Sequence, residues 1–255
     1  MTYKNISNVS FFLLTLLIGS SVLAREVTVN FAQFQPPYVM YQQHTNGKNM
    51  HGIEVEIFKE TLALIGHTLV AKDADKAEIK WLLRTNNKID ATSAVRLSTD
   101  RFYYSDVLIE HQPLAFSKEK NNIILNSVGD LKDYKVGASL KHELSTPNHN
   151  SDRLYSSKGS NHLNSQVQQN IDFWSDQIDI IIIDRYIFEY YKKMLANEFD
   201  TLSQKIRSHA LFAKKVPLYA AFKDEQLKNE FNKALSELKN NGRYQAIIDE
   251  HTKRQ

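Results

Sequence analysis

Apolar and polar positions along the chain predict strands and helices in alternation. Residues 27–31 alternate β-branched or aromatic side chains with polar ones, which is typical of a strand. In residues 53–65 the apolar side chains recur at steps of three and four, as on one face of a helix. Further strands are expected at 68–71 and 89–95, with a helix at 79–83 between them. This order calls for parallel pairing through right-handed crossovers, so the first half is predicted to be α/β.

The second half predicts another unit of the same kind. A short strand is expected at 135–138, and residues 178–184 form a nearly continuous isoleucine run of strand length, typical of a strand buried on both faces. A helix is expected at 186–195, and Asp224 is expected to cap another helix near the C-terminus. Residues 142–165 have little periodicity, so we expect loop and a short helix there. No flexible linker separates the two units, which are therefore predicted to interleave.

The first 24 residues have the pattern of a secretory signal peptide. Lys4 is followed by the apolar run 9–18 and by small residues ending at Ala24. The run is shorter than the ~20 residues that a membrane-spanning helix needs. The chain of 255 residues has no cysteine, which excludes disulfides and a lipidated N-terminal cysteine. We therefore predict residues 1–24 to be a signal peptide cleaved after Ala24, and a periplasmic protein without a lipid anchor.

Composition narrows the function further. With 42% hydrophobic and 24% charged residues the chain has an ordinary globular composition. The net charge of +3 is spread evenly, without a basic stripe, so nucleic acid is not expected as a partner. The nine histidines show no metal-binding spacing, so we expect them at the surface or in loops and predict no metal site. The chain lacks phosphate-binding glycine motifs and a nucleophile elbow, so no cofactor is predicted.

Short motifs in a fixed order give the chain a resemblance to a known family. They are Gln35–Tyr38, Gly52–Phe58, Lys88–Ala91, Ser98–Arg101, Ser105–Asp106, Asp130–Gly137, Asp179–Asp184 and Leu235–Tyr244. Each motif is weak alone, but together they resemble, nearly end to end, the extracellular solute-binding proteins of family 3, the amino-acid receptors of ABC importers. The resemblance implies an α/β, two-lobed type II periplasmic-binding fold, each lobe being a mostly parallel sheet flanked by helices. It places lobe 1 at 25–112 plus 215–255 and lobe 2 at 113–214, joined by two hinge crossovers.

Two charged residues are the main candidates for ligand binding. Ser98 suits the N-cap of a short helix with Arg101 in its first turn, and a guanidinium at a helix N-terminus favours a carboxylate. Asp184 ends the isoleucine strand, at the edge where open α/β sheets bind ligands. The resemblance implies that Arg101 holds the ligand's α-carboxylate and Asp184 its α-amino group. Asp179 is expected to serve a turn at the start of the strand.

Other candidates concern the ligand's side chain. Phe34, Tyr38 and Trp81 are candidate aromatic walls of the cleft. Arg96 stands where the family usually has Ser or Thr, and the segment Lys141, His142 and Glu143 replaces a hydroxyl-rich turn. Because these departures add cations, they favour an acidic or otherwise anionic small molecule over a neutral amino acid.

We therefore predict a monomeric binding protein, not an enzyme, that captures a small amino-acid-like or anionic ligand between two lobes and presents it to an inner-membrane ABC permease. Two alternatives remain open. One is an orphan ligand sensor of the same fold, which gene neighbourhood would separate from a transport protein. The other is a periplasmic enzyme like the cyclohexadienyl dehydratases, with Glu143 or His142 as general acid. Turnover of prephenate would distinguish it from a binding protein.

Overall fold

A computed structural model describes residues 24–44, 47–138, 165–212 and 215–253. The predicted signal peptide up to residue 23, Lys141 and His142, and the weakly periodic stretch up to residue 164 lie outside the described residues. The strands are β1 (Glu26–Ala32), β2 (Met40–His44), β3 (Gly47–His51), β4 (Thr68–Ala74), β5 (Ala91–Val95), β6 (Tyr103–His111), β7 (Pro113–Lys118), β8 (Val136–Ala138), β9 (Ile180–Asp184), β10 (Ile206–His209) and β11 (Val216–Phe222). The α-helices are α1 (Ile53–Leu64), α2 (Ile79–Thr85), α3 (Ser165–Trp174), α4 (Arg185–Met194), α5 (Glu225–Asn240) and α6 (Arg243–Lys253).

Two sheets organise the described chain, with strand orders β4-β1-β5-β11-β6 and β10-β7-β9-β8. Strand β1 pairs in parallel with β4 and β5, and β8 pairs in parallel with β9. The other pairings within these sheets are antiparallel, so the expectation of mostly parallel sheets is wrong in this detail. The reason is topological: Gln112 alone separates β6 from β7. Strand β6 thus carries the chain directly into β7 of the other sheet. Parallel pairing requires a helical crossover between strands, and no such crossover lies here.

The first sheet takes its strands from residues 26–111 and 216–222, and the second takes its strands from residues 113–209. We propose that the chain is divided into two lobes, with lobe 1 at 25–112 plus 215–255 and lobe 2 at 113–214. In lobe 1, the Phe58 ring from α1 packs against Phe31, Phe222 and Phe231 at centroid distances of 4.7–6.1 Å. In lobe 2, Phe116 stacks on Phe188 at 4.0 Å. These aromatic clusters fasten helices α1, α4 and α5 to their sheets.

Aspartate side chains cap the N-termini of two helices, α4 and α5. Asp224 caps α5 as predicted, because its carboxylate accepts a hydrogen bond from the Leu227 amide at 2.6 Å. Asp184 does the same for α4, accepting from the amides of Tyr186 and Ile187. Within the described part of the chain, no helix has the length and apolar character needed to cross a membrane.

Candidate functional site

The carboxyl ends of strands from the two sheets face each other. Tyr38 lies in the loop after β1, Asp184 ends β9, and the Tyr38 hydroxyl donates a hydrogen bond to Asp184 Oδ1 at 2.9 Å. Because β5 lies beside β1 and runs parallel to it, the segment 96–101 begins at the same edge of lobe 1 and leads from there to β6. We name Phe34, Tyr38 and residues 96–101 of lobe 1, with Asp184 of lobe 2, the interlobe edge. Open α/β sheets bind ligands at such edges.

The loop that carries Tyr38 is held firmly by its own backbone. The amide of Val39 donates to the Gln35 carbonyl at 3.0 Å, and the amide of Glu54 at the start of α1 donates to the Tyr38 carbonyl at 3.1 Å. Gly52 permits this close approach, since a Cβ atom there would lie 2.4 Å from the Tyr38 oxygen and its φ is +122°. The Tyr38 ring also packs on His111, with ring centroids 4.4 Å apart. Its position is therefore set by the fold of lobe 1.

Tyr38 and Asp184 are both completely buried. Asp184 Oδ1 accepts from the Tyr38 hydroxyl and from the amides of Tyr186 at 2.9 Å and Ile187 at 3.2 Å. Asp184 Oδ2 accepts from the Gln112 amide at 2.7 Å. Burial, followed by the charge of Asp184, raises the pKa of Tyr38 well above its usual value, so the phenol remains a donor. Among these donors to Asp184, the Tyr38 hydroxyl is the one that a side chain supplies.

The segment 96–101 forms no helix, which corrects the expectation of a short helix with Ser98 as N-cap and Arg101 in its first turn. The segment is a short connection, since only residues 96–102 separate β5 from β6. The Asp100 carboxylate also organises this segment, accepting from the Ser98 hydroxyl and from the Tyr104 hydroxyl at 2.7 Å. The expected contribution of a helix N-terminus to anion binding is therefore absent from this segment.

Lys80 of α2 ties the segment down, a role that the sequence analysis missed. Its Nζ donates to the Arg96 carbonyl at 2.8 Å and to the Ser98 and Tyr104 hydroxyls at 2.7 Å each, and it lies 3.3 Å from Asp100 Oδ2. Burial alone would raise the pKa of Asp100, but hydrogen bonds from Ser98, Tyr104 and Lys80 hold it below its usual value. Nothing in the sequence paired Lys80 with Asp100, because the partners lie on separate elements.

Arg96 and Arg101 remain open to solvent. Both residues are exposed, and their guanidinium groups make no hydrogen bond or ion pair within the described ranges. Each guanidinium carries five N–H donors and a charge that stays fixed at physiological pH. The pair can therefore receive an anionic group, in particular a carboxylate in bidentate geometry.

The predicted aromatic residues fall into two groups. Phe34 is 45% exposed and stacks on Tyr41 at a centroid distance of 6.1 Å, and Trp81 on α2 is 58% exposed. Both rings are therefore accessible to solvent. Tyr38 is buried and belongs to the contact between lobes.

The carboxyl group of Glu54, near Tyr38, is buried, which the sequence did not predict. Glu54 is 2% exposed and accepts a hydrogen bond from the Ser93 hydroxyl at 2.9 Å. His111 is 1% exposed, and His67 and His209 are buried too, so the expectation of histidines confined to surfaces and loops is wrong. The His111 ring packs on Tyr38 and His209 Nε2 lies 2.9 Å from the Ser117 hydroxyl, and no spacing in the sequence indicated these contacts. Asp179, expected to serve a turn, lies directly before β9 and accepts a hydrogen bond from the Lys135 amide at 2.9 Å.

Comparison with known proteins places the chain in a family. A family model described as bacterial extracellular solute-binding proteins, family 3, matches residues 27–254. The arginine-binding extracellular protein ArtP of Bacillus subtilis (strain 168) is 25% identical over 214 residues, which cover 80% of this chain and 79% of ArtP.

Solved structures share the fold. An amino acid ABC transporter substrate-binding protein from Streptococcus pneumoniae, bound to L-arginine, is similar with a TM-score of 0.64 at 18% identity, over 89% of this chain and 94% of the other. A histidine kinase sensor domain with similarity to periplasmic binding proteins reaches a TM-score of 0.67 at 18% identity, over 88% and 95%. These likenesses confirm the predicted two-lobed α/β fold. From the match over residues 27–254, this chain belongs to the bacterial extracellular solute-binding proteins of family 3.

Proposed function

We propose that the chain is the solute-binding component of an ABC-type importer and that it captures a small amino-acid-like or anionic carboxylate between its lobes. One observation carries the ligand class: Arg96 and Arg101 present two guanidinium groups on one short segment of the interlobe edge, open to solvent. Family membership supports the transport role, and the names of ArtP and the S. pneumoniae protein associate relatives with arginine.

In this proposal Arg101 holds the ligand carboxylate, and Arg96 adds a second cation for the same or another anionic group. Ser98 and Lys80 keep the segment in place, as their mutual hydrogen bond indicates. Phe34 and Trp81 provide aromatic surface for the rest of the ligand. Lys141 and His142 are proposed to contribute from lobe 2. Ligand binding would favour the closed arrangement of the lobes by the difference in its affinity for closed and open forms.

The cellular setting follows from the same proposal. The signal peptide is removed after Ala24, and a monomer without a lipid anchor works in the periplasm and delivers the ligand to a membrane permease. Binding, without covalent change to the ligand, is the proposed mechanism.

A thermal-shift screen of residues 25–255 tests the function. The panel contains amino acids, dicarboxylates, short peptides and prephenate. A ligand at a hundred times its Kd stabilises the folded protein by about 2.7 kcal/mol. For a chain of this size that free energy corresponds to a rise in Tm on the order of 5–10 °C.

Arg101→Ala should abolish the shift, because it removes the proposed carboxylate partner. Arg84→Ala, at an exposed arginine in the last turn of α2, is the matched control and should keep the shift. A folded protein that responds to no carboxylate, or an Arg101→Ala variant that responds as the wild type does, would contradict the proposal. Turnover of prephenate would favour the enzyme alternative instead.

A further inference from the structure

The carboxylate of Asp184 is already bound by the protein's own donors in this structure. It accepts four hydrogen bonds, from the Tyr38 hydroxyl and from the amides of Gln112, Tyr186 and Ile187. Three of these bonds go to Oδ1 and one, from the Gln112 amide, goes to Oδ2. The side chain is also completely buried. Because it is buried, an α-ammonium group of a ligand could reach the carboxylate only by displacing a group that covers it.

Three of the four donors belong to the backbone and cannot be exchanged without unfolding local structure. The amides of Tyr186 and Ile187 open helix α4, and the Gln112 amide lies between β6 and β7. Only the Tyr38 hydroxyl comes from a side chain, and it comes from the opposite lobe. The Tyr38 hydroxyl is therefore the donor to Asp184 that a ligand group could most readily replace.

Displacing Tyr38 would be costly, because its loop is fixed. Its carbonyl accepts from the Glu54 amide, its amide donates to the Gln35 carbonyl at 2.9 Å, and its ring is packed on His111. A rotation that removed the hydroxyl from Asp184 would also break this packing. The hydroxyl would leave most readily if the whole loop moved away with lobe 1.

The other carboxylate of the interlobe edge is occupied as well. Asp100 receives hydrogen bonds from Ser98, Tyr104 and Lys80. Among the described residues of this edge, the acidic groups are thus held by the protein's own donors, whereas the cations of Arg96 and Arg101 are open. This imbalance suits a ligand that brings negative charge and needs no acidic partner.

We infer that Tyr38 substitutes for a ligand ammonium at Asp184, so that the site selects small carboxylates that lack an α-ammonium group over the corresponding amino acids. The inference rests on the proposed function, since it narrows the ligand class of that site. It assigns Tyr38 as a specificity-determining residue: its hydroxyl rejects the amino group by occupying the acceptor that the group would use.

Calorimetric titration with matched ligand pairs tests the inference on the chain of residues 25–255. The pairs are L-glutamate with 2-oxoglutarate, L-alanine with pyruvate, and L-leucine with 4-methyl-2-oxopentanoate. In the pair that binds, we expect the 2-oxo acid to bind at least tenfold more tightly than the amino acid. Tyr38→Phe should reduce that preference by about tenfold, because it frees an acceptor position on Asp184.

Tyr190→Phe is the matched control, since this hydroxyl on α4 makes no hydrogen bond with the described residues, and it should keep the preference. Tighter binding of the amino acid, lost selectively in Asp184→Asn, would overturn the inference and leave the proposed function standing. Failure of these pairs and of every carboxylate in the thermal-shift panel to bind the folded wild type would overturn the proposed function, and the inference with it.

Discussion

Glu54 brings a carboxyl group into the interior of lobe 1, in the first turn of α1. Burial raises its pKa, while the nearby His111 and the hydrogen bond from Ser93 act in the opposite direction without cancelling the effect. The folded protein therefore binds a proton at Glu54 more tightly than the unfolded chain does. By linkage, the free energy of unfolding decreases as the pH rises above the ordinary pKa of Glu54 toward its raised value.

Glu54→Gln should remove this decrease in the free energy of unfolding with rising pH. The glutamine amide carries no charge and keeps an acceptor for the Ser93 hydroxyl. The unfolded chain titrates near pH 4.3, about where the effect begins. We expect the free energy of unfolding of Glu54→Gln, relative to wild type, to be higher at pH 7 than at pH 5. Urea denaturation at both pH values measures it. Glu225→Gln, in the exposed first turn of α5, should show no such difference. An equal difference for Glu54→Gln at both pH values would refute the prediction.

Helix α2 shows how one short element depends on its neighbours. It has seven residues and no side-chain hydrogen bond at its N-cap. Isolated helices of this length are unstable in water. Burial of Ile79 and Leu83 fixes one face of α2, and the Lys80 hydrogen bonds fix the helix to segment 96–101. The exposed Trp81 and the exposed Arg101 are thereby held in one arrangement.

Lys80→Met should therefore loosen both elements. The substitution removes the hydrogen bonds of a largely buried ammonium, and we expect the free energy of unfolding to fall by about 2 kcal/mol. Amide hydrogen exchange should accelerate in residues 96–102, and affinity for a carboxylate ligand should fall about tenfold. Lys59→Met is the control, because Lys59 is 63% exposed and makes only a 3.6 Å ion pair with Glu56. Unchanged exchange in residues 96–102 would show that Lys80 does not position this segment.

Helices and strands could be predicted where burial of one face or both produces a regular spacing of apolar residues in the sequence. Strands β1 and β9 and helices α1 and α5 bury one face or both, so their apolar spacing is visible. The hairpin of β2 and β3 was missed because it forms a separate two-stranded sheet with a mostly polar sequence. The long strand β6 was also missed, although β11 pairs with it along most of its length. Its pairing partner lies more than a hundred residues away, beyond the reach of a local pattern.

At the scale of the whole molecule, side-chain hydrogen bonds between described residues join the two lobes. Tyr38 donates to Asp184 near the crossover at Gln112. Farther from the crossover, Lys193 Nζ of α4 donates to the Thr252 carbonyl of α6 at 3.0 Å. The two contacts connect lobe 2 to both sequence segments of lobe 1. Open and closed arrangements of two hinged lobes differ by the few contacts that join the lobes. These bonds should therefore affect how far the ligand-free lobes separate.

Breaking these contacts should open the ligand-free protein. We expect Tyr38→Phe to lower the free energy of unfolding by about 1 kcal/mol, the usual net value of one hydrogen bond. Small-angle X-ray scattering should give a larger radius of gyration for Tyr38→Phe than for wild type, and a larger one still when Lys193→Met is added. Tyr190→Phe should scatter as the wild type does. Identical scattering from all four proteins would mean that the contacts do not restrain the lobes.

The amino-acid sequence by itself determined the family, the α/β class and the positions of the main buried strands and helices, because these depend on local periodicity and on motifs in order. It also singled out Arg101 and Asp184 as candidate residues. Only the tertiary structure decided which charged side chains are already hydrogen-bonded to other groups of the protein. Tyr38 and Asp184 are 146 positions apart, and Lys80 and Asp100 lie on different elements. Hydrogen bonding depends on distances of a few ångströms between atoms, and those distances exist only after the chain has folded.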